Sequence, residues 1–301
     1  MPKQSFTKFK LSSWSRQSKK SKDPSFVSKE TAAEISGPTR RFQYPSNTSY
    51  TRGSAPFVSL IDLLYAITWK CKPCIVASLP RQEPLAEILQ DIIIVPVLPI
   101  EQYLLSLGML SSDEGIDLDT FKTLQQISAA KTNMSELTLE SRRITSHAIY
   151  LVNHRLVSIF AGANRSEDPS HDLYAAFGAS CLLYLYLMVR EIPRRAGIHC
   201  PIRQLLRTLL YDIFTIHPIT HPMLQVVAWM GFLGVAASPP EEGDTYFIDL
   251  LVLASVYLKV KDEKDLRSRL QDILWIDDIC DRYLAIVWAE MGYSHEEGTA
   301  L

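Results

Sequence analysis

The sequence predicts an all-α protein, with a single large multi-helix domain over residues 53–301 and a disordered basic arm over 1–52. Three observations lead there. Apolar residues recur at helical spacing from Phe57 onward. Alternating strand patterns and the Asn-Gly or Asp-Gly turns that join hairpins are nearly absent. Composition also changes abruptly near residue 52, from polar and basic to apolar and acidic.

The arm comes first. Residues 1–52 carry eleven Lys or Arg against three Asp or Glu, a charge of +8, and are rich in Ser, Lys, Thr and Pro with no apolar period. Such a segment buries too little surface to offset the entropy of ordering it. Within it, Arg16, Lys19, Lys20 and Lys22 fall in seven positions. This cluster is a candidate nuclear-import signal, and its plain alternative is a solvated tail. A mitochondrial transit peptide is a third reading, because no acid precedes Asp23, although the arm is Lys-rich rather than Arg-rich.

The remainder holds 20 basic and 30 acidic side chains, a charge of −10. With 47% hydrophobic residues in 301, the chain has material for one large core or two modest ones. Spacing predicts helices over 57–69, 83–95, 100–110, 117–129 and 138–161. Pro84 opens the second of these, and Pro96 and Pro99 close it. Ile144, Leu151, Val152, Leu156 and Ile159 share a face of the fifth. Residues 173–189 and 222–240 are uncharged for seventeen and nineteen positions. A membrane-spanning helix needs roughly twenty apolar residues. Polar and glycine interruptions shorten both stretches further, so they are expected as core helices and no membrane association is expected.

The run "DDICD", residues 277–281, has the spacing that terpene and prenyl synthases use to hold magnesium. On a helix Asp277 and Asp281 share a face, with Asp278 three from Asp281. The second magnesium motif of such enzymes is missing from the twenty residues that follow. The other reading is an apolar stripe of Leu270, Ile273, Leu274, Ile279 and Leu284 with an acidic, solvated opposite side. Trp275 is then expected in the core.

Cys71 and Cys74 have the CxxC spacing, but no second pair completes a zinc site and no strand precedes them as in a thioredoxin motif. His217 and His221 flank prolines that forbid a regular helix across them, which predicts a loop between two helices. His147 and His154 lie two turns apart, too far to share a metal. No nucleophile elbow, phosphate loop or dinucleotide turn is present. The sequence therefore predicts no catalytic residues, no cofactor and no metal.

One longer pattern remains. It begins with "HPMLQVVAWMGFLGVAAS" (221–238), passes an acidic loop, and ends with "YFIDLLVLASVYLKVKDEKDLRSRLQDILWIDDICDRYLAIVWAEM" (246–291). This resembles the helical regulatory domain of fungal zinc-cluster transcription factors. The resemblance rests on the order of His221, Pro222, Trp229, Gly231, Gly234, Leu274, Trp275, Ile276, Asp277, Cys280, Asp281, Trp288 and Glu290. It extends more loosely back to residue 140. It implies a nuclear, regulator-like protein that acts through regulatory protein partners or a small-molecule effector, with cytoplasm as the alternative location. The family's DNA-binding module needs six cysteines near its N-terminus. This chain has five, none before Cys71, so sequence-specific DNA binding by the chain alone is not expected. Two other readings stand beside this one. One is a terpene-synthase-like magnesium enzyme built on DDICD, and the other is an incomplete gene model of a zinc-cluster activator.

Overall fold

A computed structural model describes residues 66–67, 89, 99–106, 109–110, 118–162, 170–216, 220–239 and 245–292. The described residues contain nine helices and no strand, so the protein is all-α. The helices are α1 (Pro99–Ser106), α2 (Leu118–Thr132), α3 (Leu139–Gly162), α4 (Ser170–Tyr184), α5 (His199–Ile216), α6 (His221–Ala236), α7 (Tyr246–Tyr257), α8 (Glu263–Leu270) and α9 (Asp277–Glu290). A π-helical turn, Leu185–Val189, continues α4. The basic cluster Arg16, Lys19, Lys20 and Lys22, the CxxC pair Cys71 and Cys74, and His217 lie outside the described residues. So does most of the predicted helices 57–69 and 83–95, although Ala66, Ile67 and Leu89 are helical and buried.

The two long uncharged stretches form the centre. Every residue from Leu173 to Val189 is buried, and α4 packs against α3, α5 and α6. A helix apolar on all sides must be covered on all sides, which explains its place. No described helix is long and apolar enough to cross a membrane. In α3, Thr145, Ala148, Val152 and Leu156 form the buried line, with Ile144 and Leu151 half-buried beside it.

Helix α6 begins where the prolines predicted a break. Thr220 is its N-cap, accepting a hydrogen bond from the Met223 N–H at 3.4 Å, and Pro222 sits in the first turn, where no backbone N–H is needed. From Met223 to Ala236 only Gln225 escapes full burial, and its amide donates to the Arg269 carbonyl at 2.7 Å. Two glycines let α7 approach. A Cβ at Gly231 would just touch Leu251 at 3.4 Å, whereas one at Gly234 would overlap the buried Phe247 ring. The outer face of α7 is apolar as well: Leu253, Val256 and Tyr257 are about half exposed or more.

Candidate functional site

The residues that carry the resemblance lie on α6, α9 and the chain between α8 and α9. The indole N–H of Trp229, at the middle of α6, donates to the main-chain carbonyl of Leu274 at 3.3 Å. Its ring is fully buried and meets Phe177 and Tyr184 of α4, with centroids 5.8 and 6.1 Å away. A buried indole needs both an apolar body of contacts and an acceptor for its N–H. Trp229 has both, so it joins α4, α6 and the α8–α9 connection.

That connection corrects one expectation. The apolar pattern of 270–288 does not run through one helix. Helix α8 stops at Leu270, the chain turns over 271–274 and is extended at Ile276, and α9 starts at Asp277. Leu270, Ile273, Leu274, Ile279 and Leu284 are all buried, as the stripe required. Trp275, expected in the core, is only half-buried. Its ring packs on Phe232 at 5.5 Å, the Arg267 guanidinium lies 5.8 Å from its centre, and its N–H donates to Asp281 at 3.2 Å.

The acids are not a free solvated face either. Arg267 of α8 donates through Nε to Asp281 at 2.7 Å and through Nη2 to Asp277 at 2.7 Å and Asp281 at 3.2 Å. Its Nη1 donates to Gln271 at 2.8 Å. A guanidinium fork thus occupies the two carboxylates that the DDxxD spacing offers to a cation. Hydrogen bonding to Asp281 raises the pKa of Arg267 further. Asp278 stands apart with its side chain exposed, and its main-chain carbonyl accepts from Arg282 at 3.2 Å.

Cys280, inside the same block, is buried and accepts a hydrogen bond from the Ile276 N–H at 3.3 Å. Desolvation pushes its thiol up to about 12, so it stays protonated and is no nucleophile at neutral pH. Trp288 is half-buried against the core. Glu290 pairs with Arg194 at 3.1 Å, and Arg194 also donates to the Val235 carbonyl at 3.2 Å, which fastens the end of α9 to the end of α6. His221 is exposed, His147 is exposed and His154 is buried on α3.

The block therefore acts as a joint. Its aromatic rings, thiol and carboxylates are directed at each other and at α6. Among the described residues no group of three His, Cys, Asp or Glu side chains converges on a point where a metal ion would sit.

Sequence reasoning missed two groups. Arg267 gave no signal because its partners lie ten and fourteen positions away across a helix break, outside any fixed-spacing rule. Arg190 follows a π-turn, and such a turn leaves the apolar pattern of a wholly buried segment unchanged. Compared with protein-family models, with curated proteins and with solved structures, the chain matches none.

Proposed function

We propose that this protein is a regulator-like, non-catalytic helical protein of the nucleus, working through protein contacts or a small effector. One observation carries the reading. The ordered pattern from His221 to Glu290 that resembles the regulatory domain of zinc-cluster transcription factors coincides with one packed unit, closed by Trp229 on Leu274 and by Arg267 on Asp277 and Asp281. The coincidence gives the pattern a physical cause, since its Trp, Cys and Asp positions are the ones that make the joint. The +8 arm adds a cationic cluster of the kind import receptors read, and it offers phosphate attraction without base readout.

The test has two arms. A tagged form too bulky to enter nuclei passively should concentrate there, and lose this when Lys19, Lys20 and Lys22 become Ala. Tethered to a heterologous DNA-binding domain, residues 1–301 should change reporter output, and Trp229→Ala should abolish the change. Mitochondrial accumulation, or a reporter indifferent to the tethered chain, defeats the reading. Purified protein titrated against random duplexes should enrich no motif at physiological salt.

A further inference from the structure

At the end of α4 the chain passes through the π-helical turn Leu185–Val189, closed by the Arg190 N–H bonding the Leu185 carbonyl at 2.9 Å. Turns of this kind add a residue to the helix and recur at functional sites. The next residue, Glu191, has φ of 51°, a left-handed conformation that non-glycine residues rarely adopt. Two successive departures from ordinary helix geometry therefore set the position of Arg190.

The Arg190 guanidinium lies 6.0 Å from the centre of the Tyr186 ring. The side chain is half-buried, its Nε is fully buried, and that Nε meets no acceptor. Desolvation lowers the arginine's pKa, Tyr186 opposes this in smaller measure, and among the described residues no carboxylate does. A desolvated cation without a counter-ion is costly to keep. The adjacent acid does not serve as partner, because Glu191 is bonded instead to Lys131 at 2.9 Å and Arg282 at 3.5 Å.

Beneath the same tyrosine the pattern repeats. The Tyr186 hydroxyl donates to Asn153 Oδ1 at 2.9 Å, which leaves the amide Nδ2 as the unused end of Asn153. Asn153 is completely buried, and Nδ2 has no acceptor. Buried polar groups are normally satisfied, so each exception calls for a cause. Here both exceptions around Tyr186 are donors, one of them charged. Their common complement is an acceptor-rich anion.

We propose that Arg190, Tyr186 and Asn153 form a binding site for a small oxyanion, a carboxylate or a phosphate. Its oxygens take the guanidinium fork, and a further acceptor on the same molecule reaches the Asn153 amide. Arg190 is the partly exposed member of the three, whereas Tyr186 and Asn153 are fully buried, so the ligand meets the guanidinium first. The role of such a ligand as an effector rests on the regulatory reading above, whereas its binding does not.

The test uses the purified full chain, titrated by calorimetry and followed by thermal melts. The probes are inorganic phosphate and succinate, each against sodium chloride at matched ionic strength. Wild type should show a saturable rise in melting temperature with one probe beyond the chloride control, and the responding probe tells phosphate from carboxylate. Arg190→Met should lose that response. Arg190→Lys keeps the charge but not the fork, and should bind at least about tenfold more weakly. A melting rise with neither probe overturns the site. So does an undiminished response in Arg190→Met, which would mean an adventitious ion only. Should Arg190→Met fail to fold, undiminished binding by Arg190→Lys overturns it equally. A positive titration beside an indifferent reporter would keep the site and reject the regulatory reading.

Discussion

Arg267 grips Asp281 through two nitrogens, at 2.7 and 3.2 Å, and the same carboxylate receives the Trp275 indole N–H. One side chain of α9 is thereby tied to α8 and to the turn between them. Asp281→Ala should cost about 1 kcal/mol, the upper end for an exposed pair, because the contact is forked and shared. The loss should shrink in high salt. Asp278→Ala, three residues away with a free-standing side chain, should stay within about 0.5 kcal/mol of wild type. Urea titrations at low and high salt decide it. A melting temperature raised by magnesium in wild type and lost in Asp278→Ala would instead restore the metal reading.

The two tryptophans of the joint should respond differently. Trp229 is wholly enclosed, so Trp229→Ala should remove roughly 3–5 kcal/mol. Trp275 is half-buried, and Trp275→Ala should remove about 2 kcal/mol. Equal losses in chemical denaturation would contradict the difference in burial.

The glycines of α6 make an internal control. Alanine at Gly231 gains helix propensity, worth about 1 kcal/mol, and its methyl group meets Leu251 at a distance that packing tolerates. Gly231→Ala should be neutral or slightly stabilising. Gly234→Ala drives a methyl group into the Phe247 ring and should cost about 1–3 kcal/mol despite the same propensity gain. Adding Phe247→Leu to Gly234→Ala should recover part of the loss in thermal melts.

Stability should also depend on pH through His199. This buried ring contacts the Pro193 carbonyl through Nε2 at 3.1 Å, while Nδ1 has no partner. Burial lowers its pKa, and this outweighs the opposing contacts with the Ile192 and Pro193 carbonyls, with Arg203 adding a smaller lowering effect, so the folded protein resists protonation of the ring. The unfolded chain binds that proton near the ordinary value of about 6.5. Stability is therefore full above that value and falls as pH drops from it toward the lower folded value. Glu191, held down chiefly by Lys131, acts in a separate window below the usual carboxylate range, where its stabilisation is lost as pH falls. Urea midpoints between neutral pH and pH of about 5 should decline in wild type, and His199→Gln should flatten the decline.

Much of this architecture was legible in the sequence because its signals are local. Pro222 could only begin a helix, and Thr220 to His221 is where α6 begins. The run 173–189 is apolar on every side, which required the central position that α4 and its π-turn hold. What stayed hidden depends on contacts between distant segments. Trp275 was expected inside because it lies within the stripe from Leu270 to Leu284, yet the chain leaves the helix at 271–276 and the indole is only half-buried. Asp277 and Asp281 carried no mark of their engagement, since Arg267 reaches them from another helix. The unpaired donors of Arg190 and Asn153 were equally invisible, because an absent partner leaves no trace in a sequence.

The Arg267 joint also bears on the order in which the molecule assembles. Helices α8 and α9 meet across a six-residue connection, so closing them together costs little chain entropy. The Trp229 contact with Leu274 spans 45 positions and must wait for a much larger loop to close. Loop length alone predicts that α8 and α9 pair before the indole reaches the Leu274 carbonyl, and refolding kinetics of variants check this. Loss of the Arg267 grip should slow refolding, whereas loss of the Trp229 hydrogen bond should mainly hasten unfolding. The expected order is then the clasp first and the contact that completes the core last.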